Sequence, residues 1–165
     1  MSNNMKKFFS LSTIIMALLF LTSCHDMKVG YLKTENAVYV PDTVVAYQEV
    51  DEEYDPHAVD NSPWTSMAIQ GVAGTVPITY EFYDVQATDG GDANAFRQAV
   101  KDGNVRLQGS LIQMFLAGAK QVPEGRYTVS LKVCNEDHEA ILPSVFTFIV
   151  KKSEWGEGWD DDIWF

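Results

Sequence analysis

With 165 residues, 46% of them hydrophobic and 21% charged, the chain is sized for one domain with a real core, and a disordered or fibrous protein is excluded. The formal net charge is −11; Lys6 and Lys7 precede Cys24 and no acidic residue does, so the part from Cys24 onward carries −13. Such a surface repels phosphate backbones and argues against nucleic acid as a partner, leaving cations, neutral sugars and basic protein patches.

The amino end is a targeting segment. Lys6 and Lys7 supply positive charge, and residues 8–21 form a mostly apolar, uncharged run, short for a membrane span and suited to the core of an export signal. It ends in Leu21-Thr22-Ser23-Cys24, which resembles the bacterial lipobox. A lipid-modifying enzyme uses the cysteine thiol as nucleophile toward the lipid donor. The peptidase that follows needs small side chains before it. The resemblance implies that Cys24 becomes the acylated first residue of the mature chain, with several acyl chains for durable anchoring. Asp26 stands two residues beyond Cys24, where an acid can act as a retention signal in some bacteria. With Cys24 lipidated, Cys134 has no intramolecular partner and is read as a free structural thiol.

After a short tether, 24–30, turn residues recur between short apolar runs. Residues 37–40 and 44–47 flank Pro41-Asp42; 65–70 and 78–85 flank Gly71-Val72-Ala73-Gly74; 105–108 and 110–115 flank Gly109. This spacing predicts a sandwich. Trp64, after Asn61-Ser62-Pro63, is either the core tryptophan of the sandwich, the preferred reading, or an exposed loop aromatic. Residues 92–103 break the pattern as one short helix: Asp92 is the N-cap, Gly103 the stop, and Phe96, Ala99 and Val100 the apolar face. Arg126-Tyr127-Thr128-Val129-Ser130-Leu131-Lys132-Val133 alternates strictly, with Tyr127, Val129, Leu131 and Val133 facing the core. Pro123-Glu124-Gly125 is the turn before it and 135–139 the polar turn after it. Residues 144–150 form the last strand, in an antiparallel hairpin with a looser return through Pro143.

Gly74-Thr75-Val76-Pro77-Ile78-Thr79-Tyr80, residues 122–135 and Phe146-Thr147-Phe148-Ile149-Val150 look like the strands of bacterial immunoglobulin-like or cadherin-like (PKD-like) surface modules. The resemblance spans about 65–150. It implies an all-β protein, a single immunoglobulin-like antiparallel β-sandwich with one short helical insert. Together with the lipobox it is similar to small outer-membrane lipoproteins that serve glycan capture or adhesion. The organisation is then signal peptide 1–23, lipid-anchored tether 24–30, sandwich 31–152 and aromatic-acidic tail 153–165.

No catalytic constellation is visible. His25, His57 and His138 are scattered without Cys or His partners at metal-site spacing, and there is no Gly-x-Ser-x-Gly elbow, phosphate loop or Cys-x-x-Cys. Acidic runs at 51–55, at Asp89 with Asp92 and at 160–162 are read as solvated surface rather than calcium loops, so no metal and no cofactor is expected. The tail holds three of the four tryptophans. Trp155, Trp159, Trp164 and Phe165 are the candidate contacts for a ligand or partner. They either fold back over the sandwich or stack on flat sugar faces or a partner protein, with 160–162 giving polar contacts. The expected partners are a lipid bilayer through acylated Cys24 and a glycan or an envelope protein. The alternative to glycan capture is a structural subunit of an envelope assembly that docks through its tail.

Overall fold

A computed structural model describes residues 30–154 of the protein. They form nine strands: β1 Leu32–Lys33, β2 Thr43–Glu49, β3 Trp64–Thr65, β4 Ala73–Gly74, β5 Thr79–Thr88, β6 Val105–Gln108, β7 Leu111–Met114, β8 Gly125–Cys134 and β9 Glu139–Ser153. The described helices are α1 Pro56–Val59, α2 Ala93–Lys101 and α3 Leu116–Gln121. The chain is thus mostly β. The strands make a four-stranded sheet β2-β9-β8-β5, a three-stranded sheet β3-β7-β6 and a small pair β1-β4. Both larger sheets and α2 contribute to one apolar core, an arrangement consistent with a β-sandwich.

β8 follows its alternation. Tyr127, Val129, Leu131 and Val133 are fully buried, while Arg126 is exposed and Thr128 and Lys132 are partly so. Its start is set by Gly125, where a Cβ would run into the backbone of Gly91 and Thr88. The β8–β9 pair is antiparallel as expected, but β9 begins at Glu139, and residues 143–145 bulge out opposite Ser130. The bulge is held by the Ser144 amide, which donates to Ser130 Oγ at 3.0 Å. That bond explains why Ser130, on the polar side of the alternation, is buried.

Four expectations need correction. The sheet is not wholly antiparallel: β2 runs parallel to β9, from Thr43 beside Thr147 to Glu49 beside Ser153. The segment 65–70 is a strand only at Trp64–Thr65. Beyond it, the Ser66 hydroxyl takes the Ile112 amide at 2.9 Å, so a side chain replaces a ladder carbonyl and regular pairing stops. Residues 37–40 make one bridge, Val38 with Gln70, instead of a strand. The single helical insert is α2, capped by Asp92 Oδ1 on the Asn94 amide at 2.7 Å, and two shorter helices accompany it. α1 starts where Asp55 caps the His57 amide and Pro56 sets the first turn; α3 is an alanine-containing turn that buries Gly118 and Ala119.

Helix α2 closes the core because Phe96 enters it. Its ring lies 5.9 Å from Phe82, 5.0 Å from Tyr127 and 6.3 Å from Phe148. Phe148 continues to Phe146 at 5.1 Å, and Phe146 to Tyr39 at 5.2 Å. Trp64 is buried at 8% exposure, as expected of a core residue. Among the described residues no helix is long and apolar enough to cross a membrane.

Candidate functional site

Cys24 and the tail residues Trp155, Trp159, Trp164 and Phe165 lie outside the described residues. The structure does fix where the described chain starts and stops. At the start, Tyr31 is tied down three times. Its carbonyl accepts from Asn135 Nδ2 at 2.9 Å and from the Thr75 amide at 3.0 Å, and its amide donates to Thr75 Oγ1 at 3.2 Å. Asn135 belongs to the turn joining β8 to β9, so the chain enters at that end of the four-stranded sheet. At the other end, Ser153 pairs with Glu49, and the Lys152 amide donates to Glu124 Oε2 at 3.1 Å beside the start of β8. The ten residues of β8 run from the exit end to the entry end, a span of about 30 Å for nine steps of about 3.3 Å.

Toward the entry end, next to the β8–β9 turn, the four-stranded sheet holds a shallow depression of about 420 Å³ lined by Tyr83, Lys132, Glu139, Ala140 and Ile141. Tyr83 is 54% exposed and Ile141 50%. Lys132 Nζ lies 2.7 Å from Glu139 Oε2, and that hydrogen bond raises the lysine pKa above its ordinary value. An exposed phenol ring beside a paired ammonium and carboxylate can stack on a flat apolar face and hydrogen-bond hydroxyl groups around it. This grouping is not legible in the sequence, because its members come from three strands and are brought together only by register.

Of the histidines, His25 lies outside the described residues, and His57 and His138 make separate local contacts. His57 stacks on Trp64, with centroids 3.9 Å apart and planes 23° apart. Its Nδ1 lies 2.6 Å from the Ser62 carbonyl; since a carbonyl only accepts, Nδ1 carries the proton. The ring thus covers the core tryptophan and latches the loop after α1. His138 sits in the β8–β9 turn, its amide donating to Asn135 Oδ1 at 2.9 Å. Cys134 is half-buried at the end of β8 and unbridged.

The acidic run at 160–162 lies outside the described residues; the others are used locally. Asp51 Oδ1 accepts from the amides of Glu53 and Tyr54, Asp55 and Asp92 cap α1 and α2, and Asp89 lies 3.5 Å from Arg126. Among the described residues no group of three or more His, Cys, Asp or Glu side chains is placed to hold a metal ion. No protein-family model matches the chain, and no curated protein or solved structure is significantly similar to it.

Proposed function

We propose that this chain is a lipid-anchored, non-catalytic binding protein of the cell envelope, fixed to the outer membrane through Cys24 and serving glycan capture or adhesion. The observation that carries the reading is the placement of the two ends. Tyr31, seven residues beyond Cys24, is bound to the β8–β9 turn, whereas β9 leaves the sheet at the opposite end and leads toward the aromatic tail. A chain anchored at its start then has Ser153, the last residue of β9, on the side away from the lipid.

The domain between is read as immunoglobulin-like. The orders β3-β7-β6 and β5-β8-β9 match strands B-E-D and C-F-G of that plan, taken in chain order. Tyr127 supports the match: near the start of the strand equivalent to F, its hydroxyl donates to the Pro123 carbonyl at 2.6 Å, as in a tyrosine corner. Val129 occupies the place of the second cysteine of antibody domains, so this core does without the inter-sheet disulfide.

The test is affinity electrophoresis of the chain from His25 to Phe165 through gels containing a panel of polysaccharides. Retardation by a glycan, lost in Trp155→Ala or Trp159→Ala, is expected. Mobility unchanged in every gel would overturn the glycan reading and favour docking of the tail into an envelope assembly.

A further inference from the structure

We infer that the end of the domain carrying Tyr31, Val76 and Pro77 rests directly on a zwitterionic lipid surface, so that the domain stands on its tip and is not held off the membrane by a stalk. The inference rests on the proposed lipidation of Cys24. Six residue steps separate Cys24 from Gly30, a reach of at most about 21 Å. Three hydrogen bonds at Tyr31, to Thr75 and Asn135, resist peeling of the chain from the domain, which would lengthen the tether. With β8 spanning about 30 Å, the entry end stays near the lipid in any orientation the tether allows.

That end is built for such contact. Val76 is 78% exposed, the most open of the large apolar side chains described, and Pro77 beside it is also exposed. Tyr31 is 51% exposed and amphipathic, the type of side chain that settles at a membrane–water boundary. Lys33 Nζ lies 5.9 Å from the centre of its ring, where its cation can reach headgroup phosphate. Exposed Glu136 and partly exposed Asp137 stand on the neighbouring turn, and the chain as a whole is acidic. Those charges oppose an anionic surface and select a zwitterionic one, with apolar contact as the attraction.

The test uses the full lipidated protein, with Cys134→Ser, reconstituted in phosphatidylcholine–phosphatidylethanolamine vesicles. Bimane is placed on Val76→Cys, and on Tyr54→Cys as a control beside the exit end. The expected result is a blue shift at position 76 and progressive loss of emission as brominated lipid is added, with position 54 unaffected. Equal emission at both positions, in protein that floats with the vesicles and carries acyl mass on Cys24, would overturn the tip contact and leave the lipid anchor standing. Protein without acyl mass on Cys24 would remove the anchor, and the tip contact with it.

Discussion

The hydroxyl of Tyr127 donates to the carbonyl of Pro123 at 2.6 Å and accepts the amide of Asp92 at 3.2 Å, so one buried phenol joins the turn before β8 to the cap of α2. Burial raises its pKa above the ordinary tyrosine value, and the proton stays on the oxygen that must donate it. Tyr127→Phe keeps the ring but leaves one carbonyl and one amide without their partner. The expected cost is about 1–3 kcal/mol, read from urea unfolding. A midpoint unchanged from the parent would mean that water satisfies both groups and that the corner is not a structural tie.

Phe96 is fully buried, and its ring faces Phe82, Tyr127 and Phe148. Phe96→Ala empties the place where α2 meets the sheet, and a loss of about 3–5 kcal/mol is expected in the same assay. Val100→Ala, on a partly exposed position of the same helix, should cost far less. Equal losses for the two would show that α2 matters as a whole and not through Phe96.

Arg97 Nη2 lies 2.8 Å from Asp84 Oδ1. The hydrogen bond from Arg97, helped by the Val85 amide, holds the Asp84 carboxyl below its ordinary pKa. A lowered folded pKa gives stability that is present above the unfolded value, near 4, and is lost as pH falls through the folded one. The stability of the parent should therefore drop more steeply than that of Arg97→Met as pH is lowered from about 5 to 3. Both side chains are nearly half exposed, so the difference should be small and shrink with added salt. Parallel curves for the two proteins would show that the pair adds nothing.

Asp51, Asp55 and Asp92 already accept backbone amides, and Asp89 pairs with Arg126. Thermal unfolding in millimolar calcium and in chelator should accordingly coincide. A clear rise in melting temperature with calcium would show that these carboxylates gather around an ion.

Local signals were readable before the structure. Strict alternation located β8, and an aspartate cap with a terminal glycine located α2. Features that depend on distant pairing were not readable. Nothing in residues 43–49 announces a parallel partner a hundred residues away, and nothing in Ser66 announces that its hydroxyl will replace a ladder carbonyl. The cap of α1 is present in the sequence as Asp55-Pro56, but it stands inside an acidic run that obscures it. Trp64 was placed in the core by sequence, but its cover, His57, is chosen by the fold of the intervening loop. The outer depression stayed hidden because Tyr83, Lys132 and Ile141 each look like ordinary outward strand residues.

The most direct measurement is the intact mass of the protein extracted from the membrane fraction, combined with a proteolytic map of its amino end. A mature chain that begins at Cys24, with the added mass of a diacylglycerol and an amide-linked acyl chain, is the predicted result. A chain that begins elsewhere, or an unmodified Cys24, would contradict a lipid-anchored binding protein and leave the ends of the β-sheet without the orientation proposed for them.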